Sequence, residues 1–312
     1  MKNNLKLLLL SLFIFLGCEK EVDLKIDDTD SKLVLNSWLK TEQHPVAEIN
    51  RSTFIFDKRG TDRIENAEVI IYEDNEEIGF LEHFGSGFYQ NENIKINPGK
   101  EYKIIAKVNG FDDVVAIEKS PEKFTDSDYD FEYEPVPSES GSEYQPQSEV
   151  KITLKDKAST QDIYLFLAKD TFKSWSNESP EDTTYNEYIT YLESSDLQIE
   201  YVYSSNLGQI QLLKDELFNG NEYTIRFKTN DLRKRENSDE ERTYISQNII
   251  EIHKISTSFY LYLKSLEYNQ YPDPFTEPTQ IYTNVKNGYG ILATSTVTKI
   301  QVEETVDNNN NE

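Results

Sequence analysis

The chain has 312 residues, 57 acidic against 32 basic, a formal charge of −25 and a single cysteine. Such acidity repels phosphate backbones and anionic headgroups alike, which excludes nucleic acid as a partner and a basic face as a membrane anchor. One cysteine excludes an internal disulfide, so stability must come from packing, and 20 Tyr and 16 Phe among many Val, Ile and Thr give a folded, β-rich composition.

Lys2 and Lys6 form a positive start, and Leu7 to Leu16 is an apolar run interrupted only by Ser11. Ten residues rise about 15 Å as a helix, roughly half a bilayer core, so residues 1–17 read as a secretory signal and not a spanning helix. The run ends Phe15-Leu16-Gly17-Cys18. A small residue followed by Cys resembles the bacterial lipobox, with Phe15 where Leu is usual, and it makes Cys18 the lipid-attachment site and mature N-terminus. A buried structural Cys is the alternative, but Gly17 and the charges after Cys18 do not form a core. Acyl chains, at about 0.8 kcal/mol per buried methylene, would hold the protein on the membrane.

Residues 18–30 form a charged tether. An N-terminal β-sandwich, immunoglobulin- or transthyretin-like, is expected over 31–122, with strands at Lys32 to Leu39, Ala67 to Glu73, Glu76 to His83, Tyr89 to Ile96 and Tyr102 to Val108. Residues 123–148, rich in Asp, Glu, Ser and Pro, read as an acidic linker. A second β-rich, sandwich-like domain is expected over 149–305, before an Asn-rich tail at 306–312. Its clearest helix starts at Ser256 or Ser258 and places Phe259, Leu263 and Leu266 on one face; Pro272 and Pro274 prevent its continuation. Leu212 to Phe218 reads as one or two further helical turns. The stretches around Tyr102 and Tyr223 share Gly-x-Glu-Tyr-x-Ile, which suits a sandwich corner: the ring packs inward and the hydroxyl ties the incoming loop. Chance convergence on common hairpin chemistry gives the same pattern.

No catalytic apparatus emerges. Lipidation consumes the only thiol, and Gly85-Ser86-Gly87 lacks the spacing of a nucleophile elbow. His44 precedes Pro45 in a turn, His83 lies in a strand, and His253 shares an outward face with Glu251; each reads as solvated or edge. Asp126, Asp128 and Asp130 have the start of a calcium loop, but Phe131 stands where Gly is needed and Pro137 where Glu is needed, so a solvated linker is the better reading. The sequence therefore indicates a non-enzyme with no metal and no cofactor. Tyr185, Tyr188, Tyr191, Tyr201 and Tyr203 either line sandwich strands or form a platform for sugars or peptides.

Several segments together resemble one family: CEKEVDL (18–24), LVLNSWL (33–39), AEVIIYED (67–74), PGKEYKI (98–104), LFNGNEYTI (217–225), FYLYLKSLEYNQ (259–270) and PFTEPTQIYTNVKNGYGIL (274–292). The chain is similar to the Bacteroidota lipoproteins of domain-of-unknown-function family 4249 (DUF4249). The most specific part runs from Pro274-Phe275 through Asn284, Gly288 and Gly290; Leu292 stands where members often carry an aromatic. The family carries no established catalytic residues, so none transfers. The resemblance implies an outer-membrane lipoprotein, accessory to a TonB-dependent transporter in nutrient capture or assembly; a free-standing glycan- or peptide-binding lipoprotein is the alternative. Glu19, Lys20 and Glu21 directly behind Cys18 resemble the surface-export signals of such lipoproteins, although any tether near a membrane is charged to stay solvated.

Overall fold

The computed structural model describes residues 31–53, 62–136, 147–179, 181–204, 207–238, 241–270 and 280–307. The signal segment, Cys18, the tether with Glu19, Lys20 and Glu21, and Pro272, Pro274 and Phe275 lie outside the described residues.

The N-terminal strands are β1 (Leu33–Lys40), β2 (Val46–Arg51), β3 (Asp62–Arg63), β4 (Glu68–Glu73), β5 (Glu76–Gly85), β6 (Phe88–Gln90), β7 (Glu101–Lys107) and β8 (Val114–Lys119). One layer joins β1, β2 and β6; the other joins β5, β4, β7 and β8. Strand β5 serves both layers, pairing with β4 up to Leu81 and with β6 from Glu82. Alternation along β1 and β7 turns Leu33, Leu35, Leu39, Tyr102, Ile104 and Ala106 into the core between the layers. The strand expected over Tyr89 to Ile96 stops at Gln90. There the Asn91 amide donates to the Phe80 carbonyl at 2.7 Å and its oxygen accepts the Asn93 N–H at 3.0 Å, a local turn that competes with the ladder.

The remaining strands are β9 (Tyr129–Val136), β10 (Gln147–Lys155), β11 (Ile163–Ser176), β12 (Thr184–Thr190), β13 (Leu192–Glu193), β14 (Glu200–Ser204), β15 (Gly208–Lys214), β16 (Glu222–Asn230), β17 (Arg233–Ser238) and β18 (Arg242–Ile255). Helix α1 (Thr257–Gln270) and strands β19 (Val285–Lys286), β20 (Tyr289–Ile300) and β21 (Val302–Asp307) follow. A four-stranded sheet, β13-β16-β10-β9, packs Val150, Ile152 and Phe227 against Phe166, Ile250 and Ile252 of β11 and β18.

The acidic linker over 123–148 is thereby corrected, because β9 lies within it and pairs along β10 from Tyr129 to Val136. Tyr129 and Tyr133 pack on the core, while Asp130 and Glu132 on the outer face meet Lys155 and Lys151 at 2.8 and 2.7 Å. Neighbouring lysines, invisible to a local reading, offset the charge that made the stretch look like solvated chain. The helical reading of Leu212 to Phe218 is also corrected. Leu212 belongs to β15, buried on both faces, and only Asp215–Leu217 forms a 310 turn. A short apolar run covered on both sides has no period to distinguish strand from helix.

The large sheet does not stop between the two halves of the chain. β18 pairs with β11 on one side and β20 on the other, and β20 runs parallel to β1 with Val34 opposite Tyr289 and Lys40 opposite Ser295. Val285 and Leu292 consequently enter the N-terminal core. Gly290, at φ +103°, lies so close to β1 that any Cβ would overlap the Leu35 carbonyl oxygen; a Cβ on Gly288 would stand 2.5 Å from that of Leu33. Helix α1 starts as expected, its Phe259 N–H reaching the Ser256 hydroxyl at 3.4 Å, and it buries Phe259 and Leu263 over β20 and β14. Among the described residues no helix is long and apolar enough to cross a membrane.

The two corner tyrosines differ. Tyr102 is fully buried, donates to Glu73 at 2.5 Å and accepts the Asn97 N–H at 2.6 Å, tying its incoming loop as expected. Tyr223 is only partly buried, stacks on Phe218 at 4.5 Å and donates to Asp196, which lies in a different loop.

Candidate functional site

The face of β1 turned away from the N-terminal core carries Asn36, Trp38 and Lys40, and α1 crosses above it. Between them lies a cavity of about 530 Å³. Trp38, Phe88, Phe259, Tyr262, Leu263 and Leu266 supply apolar wall, while Asn36, Lys40, Gln43, His44 and Glu48 supply polar groups. This size and mixture suit a small organic molecule. The Trp38 ring lies 4.9 Å from Phe259 and 5.3 Å from His253, and its N–H donates to the Ser295 hydroxyl at 2.8 Å. The indole is thus fixed on one side and presented to the cavity on another. The Lys40 ammonium stands 4.0 Å above that ring.

Behind Trp38 lies a buried polar network that the sequence did not disclose. The outward, solvated reading of His253 is corrected: the side chain is fully buried, and Glu251 beside it is 3% exposed. Strand β18 is an inner strand with both faces covered, which alternation alone cannot reveal. His253 Nε2 lies 3.2 Å from Glu251, and its Nδ1 lies 3.3 Å from Ser295 Oγ. Glu251 also pairs with Lys169 at 2.9 Å and Lys299 at 3.2 Å. Burial drives His253 towards neutral imidazole. Burial alone would raise Glu251, yet the hydrogen bond from His253 and the Lys169 ammonium outweigh it and hold the carboxyl well below its usual range.

Ser295, His253 and Glu251 have the residue types of a hydrolytic triad. Ser295 and His253 have no exposure, however, and the Ser295 hydroxyl already accepts the Trp38 N–H. A nucleophile needs a reacting atom beside it, so this arrangement acts as a buried support for Trp38.

His44 lines the cavity and is exposed; His83 is also exposed, with its ring 5.2 Å from Tyr89. Gly85, Ser86 and Gly87 all have positive φ and form the β5–β6 turn. Asp128 caps the 310 turn at Asp126–Asp128 through Thr125 and pairs with Lys157 at 3.0 Å, while Asp130 pairs with Lys155, so the calcium-like spacing is spent on structure. Another acidic group does converge, with carboxylate oxygens of Asp156, Asp162 and Asp215 within 4.8 Å of one another. Its oxygens are engaged internally: Asp156 by Tyr164 and the Gly220 N–H, both at 2.8 Å, Asp162 by Lys254 at 2.5 Å, and Asp215 by the Asp162 N–H at 2.6 Å.

The five tyrosines of the second half are not gathered into one cleft. Tyr185 and Tyr188 lie on opposite faces of β12, Tyr203 sits on β14, and Tyr201 is tied to the Ser194 backbone. Tyr185, Tyr188, Tyr191 and Tyr203 are exposed, and none of the five lines the cavity beside Trp38.

A family model described as Domain of unknown function (DUF4249) matches residues 19–301. A search of curated proteins gives no match for the chain.

Proposed function

We propose a role for this chain, which belongs to the DUF4249 family, as a non-enzymatic lipoprotein of the outer membrane that captures a small molecule for a TonB-dependent transporter. The observation that carries ligand capture is the aromatic-walled cavity between β1, β20 and α1, which combines apolar walls with a few polar groups. The anchor rests on the apolar run ending at Gly17-Cys18, and surface exposure on Glu19, Lys20 and Glu21 directly behind it. The transporter as partner rests on the family resemblance.

Affinity purification of the full-length protein from its native membrane in mild detergent tests the partnership. Recovery of a β-barrel transporter in stoichiometric amount supports it, and reproducible absence of one contradicts it. A free-standing glycan- or peptide-binding lipoprotein is the second reading, favoured by the exposed rings of Tyr185, Tyr188, Tyr191 and Tyr203. It requires that alanine at these tyrosines abolish binding while Trp38→Ala leaves it intact.

A further inference from the structure

We propose that the cavity takes an amphipathic organic anion, with its apolar body against Trp38 and Phe259 and its anionic group on the Lys40 ammonium. This rests on the reading of the cavity as a capture site and adds the ligand's chemical class.

Lys40 is the cation that the fold leaves without an ion pair at this site. It lines the cavity, partly buried, and among the described residues its ammonium has the Trp38 ring as its partner and no carboxylate within ion-pair distance. Acidic side chains are plentiful in a chain with 57 of them, so a scarcity of carboxylates does not explain this. Around the ammonium itself three cations face two carboxylates, the cavity's own carboxylate, Glu48, lying towards its far end. Lys40, Lys169 and Lys299 face Glu251 and Glu187, with both carboxylates held by Lys169 and Glu251 also by Lys299. Neutral, buried His253 adds no charge. An ammonium has three donors and no acceptor, and a ring face satisfies it poorly once water is partly removed. Burial and the Lys169 charge accordingly lower its pKa.

The opposite end of the cavity has the opposite character. Glu48 pairs in register with Asn36, four residues from Lys40 along β1, or about 13 Å at the usual strand rise. Asn36 Oδ1 itself is buried without a donor against Gly290 of β20. The cavity therefore runs from the Lys40 cation past the indole to the Glu48 carboxylate. An anion whose apolar body reaches the indole and stops short of the Glu48 carboxylate matches that order, whereas a cation would meet Lys40 and a fully apolar molecule would bury it unpaired.

Isothermal titration of the full-length protein in non-ionic detergent, with protein-free micelles as blank, tests this with 1-naphthaleneacetate and 1-naphthaleneacetamide. These probes share one apolar body and differ in charge. The acid is expected to bind roughly ten-fold more tightly than the amide, the scale of one hydrogen bond to a charged group. Lys40→Met should erase the difference and Lys40→Arg should preserve the preference, with a cooperative thermal transition in both variants showing that the fold is retained. Equal affinities in the wild type, or a preference that survives Lys40→Met, would overturn the anionic class while both probes still report a working cavity. Failure of both probes to bind at millimolar concentration would overturn the capture reading itself, and this proposal with it.

Discussion

Glu251 is the residue whose replacement should cost the most among the polar groups. Glu251→Gln retains an acceptor for His253 but takes from partly buried Lys169 its closer counter-charge, leaving Glu187 at 3.5 Å, so a loss of about 3 kcal/mol, the low end for a broken buried pair, is expected in chemical denaturation. The same pair sets an acid limit. The folded-state pKa of His253 lies below the ordinary 6.5 and that of Glu251 below the ordinary 4.5, so in both cases the unfolded chain binds the proton first. The contribution of this pair to stability is therefore complete above pH 6.5, declines below it as unfolded His253 protonates, and declines further below 4.5 as unfolded Glu251 does. His253→Asn should flatten the upper part of that decline in a pH series of unfolding free energies. Tyr102→Phe, which removes a buried hydroxyl serving both Glu73 and Asn97, should cost about 1–2 kcal/mol, and Tyr223→Phe less, because its ring is only partly buried. Equal losses at the two positions would mean that the shared motif, and not its surroundings, sets the role of the hydroxyl. The motif predicted a tyrosine in a hairpin at both places. What each hydroxyl would reach depended on loops distant in sequence.

Among the elements, β20 ties the two halves of the chain together. It completes the sheet beside β1 and contributes Leu292 to the first core, so residues 31–122 expressed alone should fail to give a cooperative thermal transition. Gly290→Ala forces a side chain against the Leu35 carbonyl at φ +103° and should cost about 2–4 kcal/mol in the full chain. A stable, cooperatively folding 31–122 fragment would contradict this arrangement. The sequence showed the local part of this architecture well. Alternation in β1 and β7 and the spacing of Phe259 and Leu263 in α1 depend on near neighbours and were readable. The parallel pairing of β1 with a strand some 250 residues later has no local signature. The same long-range packing hid the site: Trp38 read only as part of a strand, and His253 read as an outward residue because the strands and helix that cover β18 could not be placed. Strand β9 was obscured for a different reason, since its outer-face acids are offset by lysines on the neighbouring β10.

On the scale of the whole molecule, the proposed role combines a cavity, a charged tether and a lipid. Protease added to intact cells should remove the folded part, and alanine at Glu19, Lys20 and Glu21 should protect it while leaving it membrane-bound. Protection of the wild type in cells with a sound outer membrane would place the chain on the periplasmic side and remove the case for capture from the medium. Capture, surface display and delivery to a transporter all require the protein to be held at the membrane, and with a net charge of −25 the proposed means is the lipid on Cys18. The measurement that bears most directly on the proposed role is therefore the mass of the mature N-terminal peptide from the membrane fraction. The expected result is a peptide beginning at Cys18 and carrying acyl mass, which disappears in Cys18→Ala together with membrane retention of the mature form. A mature protein with an unmodified N-terminus upstream or downstream of Cys18 would contradict it.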